Sequence, residues 1–132
     1  MADLGAIVAQ LKQERAKLDK AIAALKKAIE FGGGPQVKAA LANAYAVSGQ
    51  TREAKKMLGE LTDRSRQTYA PPFDVALAYV GLGDHDQAFA WLEKAYDERA
   101  RAMLSLKVHP GLDPLRSDPR FADLQRRVPP LR

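Results

Sequence analysis

The sequence has 132 residues, of which 46% are hydrophobic and 28% charged, with a formal net charge of +5 and no cysteine. That is enough chain to bury one ordinary core, and the missing thiols exclude disulfides, thiolate catalysis and cysteine-built zinc or iron–sulfur sites. No apolar run approaches the ~20 residues of a membrane span, and residues 1–10 lack the basic-then-apolar order of a signal peptide. The expectation is a folded cytoplasmic protein, neither exported nor anchored.

Residues 2–31 contain no proline, one glycine (Gly5) and a dense set of good helix formers, which predicts one long helix. Leu4, Val8, Leu11, Leu18, Ile22, Leu25 and Ile29 recur at alternating steps of four and three, with Arg15 alone breaking the series. This is a heptad seam, suited to packing on another long helix of the same chain or of a second copy. Leu11, Leu18, Ile22 and Leu25 are the candidate self-association residues of a homodimer. Gly32-Gly33-Gly34-Pro35 then ends the helix, and residues 32–35 read either as a hinge or as an artificial linker between a segment 1–31 and a domain 36–132.

From Pro35 an internal repeat begins. The stretch from Leu41 to Gly49 aligns without gaps on that from Val75 to Gly83, with Ala54 matching Ala88 and Leu58 matching Leu92; the offset of Tyr45 and Tyr79 is the 34-residue tetratricopeptide period. Ala42 and Ala76 are small where two helices must approach closely, and Tyr45 and Tyr79 fill the space between them. Gly49 and Gly83 stop the first helix of each pair, while Thr51 and Asp84 are expected to cap the second, with Gln87 completing a capping box. Residues 66–72, ending in Pro71-Pro72, join the pairs. Asp113-Pro114 and Ser117-Asp118-Pro119 open a short turn and a final helix that present Leu115, Phe121 and Leu124 inward, as a cap on the last repeat. The predicted fold class is all-α: a long N-terminal helix, two antiparallel helix pairs and a short C-terminal capping helix.

Residues 39–128, carrying ALANAYAVSGQTREAKKMLGEL, PPFDVALAYVGLGDHDQAFAWLEKAYDER and LKVHPGLDPLRSDPRFADLQRR, resemble the tetratricopeptide-type tail at the C-termini of many bacterial signalling proteins. Those proteins include adenylate-cyclase-like proteins, winged-helix regulators and serine/threonine kinases; the DPLRSDPRF element is the most specific part of the match. The tetratricopeptide tryptophan and proline positions are held by Lys38 and Arg66 in the first repeat and by Pro72 and Ala100 in the second, so both repeats are degenerate. The resemblance implies a scaffold for protein contacts and no reaction. It also implies that the first helix of each pair lines a concave face through Gln36, Ala39, Asn43 and Val47, then Phe73, Leu77 and Val80. Asn43, Val47, Phe73, Leu77 and Val80 are therefore the candidate partner-binding residues. Leu77 at the place equivalent to Asn43 points to an apolar peptide or helix as the ligand.

Chemistry is sparse elsewhere. His85 and His109 stand in no metal-binding or catalytic spacing, the glycines lack the Lys-Ser/Thr of a phosphate loop, and Asp84, Asp86, Glu93, Asp97 and Glu98 lack the order of a calcium loop. No cofactor and no enzymatic activity are expected. Charge runs +2 over residues 1–31, +3 over 32–70, −4 over 71–100 and +4 over 101–132, a mixed solvated surface rather than a phosphate-tracking stripe. The alternative reading is a nucleic-acid-associated accessory protein using Lys12, Lys20, Lys26, Lys27, Lys55, Lys56, Arg126 and Arg127. Steep weakening of nucleic-acid binding with salt would favour it.

Overall fold

A computed structural model describes residues 3–63 and 69–128. Six α-helices and two 3-10 segments are present among them: α1 Leu4–Glu30, α2 Pro35–Val47, α3 Thr51–Leu61, α4 Pro72–Leu82, α5 His85–Asp97, the 3-10 segments Arg101–Ser105 and Pro110–Leu115, and α6 Pro119–Arg127. The fold is all-α with a long first helix and a short last one. The link expected at residues 66–72, including the degenerate repeat position Arg66, lies partly outside the described residues.

The helix ends explain the boundaries. At the close of α1 the Gly32 N–H donates to Ile29 O at 3.0 Å and the Gly33 N–H to Ala28 O at 2.8 Å, the paired bonds that satisfy a helix's last carbonyls. Gly32 has φ +92, and a Cβ on Gly33 would meet Ala28 O at 2.8 Å, so these two glycines make one compact turn. The same pair of bonds recurs after α2 at Gly49 and Gln50, after α4 at Gly83 and Asp84, and after α5 at Arg99 and Ala100. The residue with positive φ is glycine in the first three cases and Arg99, at φ 55, in the fourth.

At the N-termini, Asp3, Asp84 and Asp118 cap through their carboxylates. The Gln87 N–H donates to Asp84 Oδ1 at 3.1 Å, but the Asp84 N–H is taken by Tyr79 O, so the capping box is one-sided. Thr51 is the first helical residue of α3 rather than its cap; Gln50 holds the cap position without a side-chain bond.

Burial divides into three layers that follow the chain. Ile22, with Leu25 and Ile29 beside it, packs on Leu41, Tyr45 and Ala54. Ala39, Ala42, Leu58 and Leu61 of the first pair pack on Val75 and Ala78 of the second. Phe73, Ala76, Leu77, Val80, Ala88 and Leu92 pack on Met103, Leu106, Leu112, Leu115, Phe121 and Leu124. Ala42 and Ala76 are fully buried, in keeping with a close helix crossing. Side chains this well enclosed each contribute roughly 1.5–3 kcal/mol when large and apolar.

Candidate interaction surfaces

α1 is two helices in one. Its C-terminal half is anchored through Ile22, 7% exposed, whereas Leu4 and Leu11 in the N-terminal half are 74% and 58% exposed, with Ile7 and Val8 also in solvent. The change falls beside Arg15, the residue that broke the heptad series. Its Nη1 donates to Ser48 O at 3.2 Å while its Nε lies 3.5 Å from Asp19 Oδ1. A guanidinium at that seam position ties the helix to the end of α2, and N-terminal to it the apolar side chains of α1 are exposed. Leu11, Leu18, Val47 and Ser48 line a shallow cleft there, and Val47 is 56% exposed. Of the four self-association candidates, Leu11 is therefore open, Leu18 and Leu25 are half-buried and Ile22 is core.

The five partner-binding candidates also separate. Val47 is exposed and Asn43 half-buried, while Phe73, Leu77 and Val80 are buried beneath the C-terminal segment. His109 meets the Phe73 ring edge-on at 5.6 Å, and a Cβ on Gly111 would stand 2.9 Å from Leu77 Cδ2. On α4, then, the face expected to line an open concave groove is filled by the chain's own residues 109–115. No periodicity within the repeats could have announced this, because the filling segment is irregular and comes from outside them.

The cap is fastened by charge as well as by apolar burial. Arg120 reaches Asp86 Oδ1 at 2.9 Å and Asp118 Oδ2 at 2.9 Å, and its guanidinium lies 4.4 Å above the Phe89 ring. Arg127 pairs with Glu93 of α5 and with Asp123, and lies over Tyr96; Arg116 pairs with Asp113 and lies over Phe121. The acidic middle of the sequence and its basic end thus meet across α5 and α6. Hydrogen bonds from Arg120 hold the Asp118 carboxyl below its ordinary range, and Arg120 is itself raised by Asp118 and Asp86. Burial pushes Asp74 and Tyr79 up, while Tyr69 is raised first by its 2.7 Å bond to Glu98. The Asp86 and Glu93 carboxylates are therefore cap partners, which the acidic cluster alone did not disclose. Of the basic residues in the nucleic-acid reading, Arg126 and Arg127 are engaged with Asp123 and Glu93.

Among the described residues no cluster of three or more His, Asp or Glu side chains could hold a metal ion, and no helix is long and apolar enough to cross a membrane. No curated protein and no solved structure gives a significant match to the chain. Residues 73–101, which take in most of α4, all of α5 and the turn that closes it, match the tetratricopeptide repeat family, so this helix pair is similar to a tetratricopeptide repeat.

Proposed function

We propose that the chain is a cytoplasmic protein–protein interaction module of the kind appended to bacterial signalling proteins, and that it docks an apolar helix on the free half of α1 and the adjoining end of α2. The exposed strip of Leu4, Ile7, Val8 and Leu11 carries this reading. Four large apolar side chains on one helix face, continued by Val47, form the sort of contiguous patch that single-chain proteins rarely leave in water. A second copy of the chain is the occupant, because each copy offers the same strip and a twofold interface requires self-complementary surfaces.

Light scattering over a concentration series tests this. Leu11→Asp is expected to leave a monomer where the parent forms a dimer, with unchanged helix content by circular dichroism. A parent that is monomeric at every concentration removes the second copy as occupant.

A further inference from the structure

At the far end of the molecule a second opening lies between the C-terminal turn of α5, the Arg101–Ser105 segment and the end of α6. Its volume is about 640 Å³, and Met103, Leu104 and Val128 supply an apolar floor. Its rim carries Arg99 and Arg101. We propose that this cleft is a binding site for an acidic peptide segment of a partner protein, a bulky apolar side chain entering the cleft while adjacent carboxylates meet the two arginines. The site is separate from the α1 strip and does not depend on it.

Two observations carry the assignment. The first is charge. Beyond residue 98 the described arginines are Arg99, Arg101, Arg116, Arg120, Arg126 and Arg127. The last four all hold carboxylate partners within 3.4 Å. Arg99 and Arg101 have none, and both stand at this cleft. The rim's third guanidinium, Arg127, is neutralised by Glu93 and Asp123, and the one carboxylate lining the opening is Asp97. Two unpaired guanidiniums remain, each able to take a carboxylate in a bidentate pair.

The second is backbone conformation. Arg99 occupies the left-handed position that glycine fills at the three equivalent helix ends, at Gly32, Gly49 and Gly83. A non-glycine residue there is disfavoured, and strain of this kind is retained where surrounding structure holds a side chain in place for use. With φ at 55, the turn sets Arg99 on the rim beside Ala100 and Arg101. The apolar floor excludes a purely ionic ligand, since Leu104 is a partly exposed side chain at the cleft that an apolar group would cover.

The test uses the full chain and a fluorescein-labelled peptide of alternating glutamate and leucine or phenylalanine, read by fluorescence anisotropy. Hexanoate serves as a competing small carboxylate. Parent protein is expected to bind the peptide with a micromolar Kd that weakens with salt. Arg99→Gly combined with Arg101→Gln is expected to weaken binding at least tenfold without lowering the melting temperature. Arg52→Gln, which removes an unpaired arginine on α3, and Leu11→Asp on the α1 strip should both bind as the parent does. Equal losses in Arg52→Gln would mean bulk charge attraction and overturn the site, as would undiminished binding by the double variant. Displacement of the peptide by millimolar hexanoate would make the ligand a small carboxylate and overturn the peptide assignment. Since Leu11→Asp reports on the strip and the arginine pair on the cleft, either reading can fail without the other.

Discussion

Gly81 of α4 faces Ala46 of α2 so closely that a Cβ built on Gly81 would lie 2.9 Å from the Ala46 Cβ. Neither atom can swing aside, because one belongs to backbone-fixed alanine and the other would be newly attached to the main chain. Gly81→Ala is therefore expected to force α2 and α4 apart and destabilise the fold by about 1–3 kcal/mol. Gly59, within α3, has no atom within 4 Å of such a Cβ, and Gly59→Ala should stabilise by about 0.5–1 kcal/mol through helix propensity. Urea melts of the two variants check opposite signs for one chemical change. The larger-volume changes Ala42→Leu and Ala76→Leu act at fully buried sites and should cost at least as much as Gly81→Ala.

Relaxing the left-handed backbone at Arg99 with glycine should raise stability by about 0.5–1 kcal/mol, measured by thermal or chemical unfolding. A fall in stability would mean that the arginine side chain contributes more by packing than its conformation costs.

The two halves of α1 should respond differently to substitution. Leu4→Asp and Leu11→Asp place charge where the side chains already meet water, and their melting temperatures at low protein concentration should match the parent. Ile22→Ala removes a buried side chain against Leu41 and Tyr45 and is expected to cost roughly 2–4 kcal/mol. Equal effects at positions 11 and 22 would contradict the division at Arg15.

Deleting residues 114–132 removes Leu115, Phe121 and Leu124 from the layer over Ala88, Phe89 and Leu92. The truncated chain is expected to bind a hydrophobic dye and to lose its cooperative melt. A soluble, sharply melting truncation would show that the second pair does not need its cover.

The fastening of α6 should weaken in acid. The folded Asp118 carboxyl is lowered by hydrogen bonds from Arg120, so its contribution is complete above the unfolded value near 3.8 and is lost as pH falls below it towards the folded value. Asp118→Asn removes that dependence. Melting temperatures from pH 5 down to pH 2.5 should fall more steeply for the parent than for the variant.

Much of this architecture was legible because it rests on spacing. The 34-residue offset of Tyr45 and Tyr79, the glycine stops at 49 and 83 and the proline starts at 35, 72 and 119 all mark elements that the structure contains at those places. The cap was legible from Asp118-Pro119 and from Leu115, Phe121 and Leu124. What spacing could not disclose was who covers whom. Phe73 and Leu77 occupy positions expected to line an open face, and the return of His109 and Gly111 places the chain's own residues against them. Likewise the heptad seam of α1 runs past Arg15 in sequence, whereas the distance to Ser48 decides where docking ends. The pairing of Asp86 with Arg120, 34 residues apart, is a fact of tertiary structure that two separate charge clusters do not announce.

The layered core also gives the molecule a polarity. One end of the stack is covered by 3-10 turns and α6, whose arginines grip α5; the other carries the exposed apolar strip of α1. In the twofold pairing proposed above, each contact uses up the same face on both members, so copies cannot add indefinitely through it. The pairing proposed for α1 is therefore self-limiting, favouring discrete pairs over filaments.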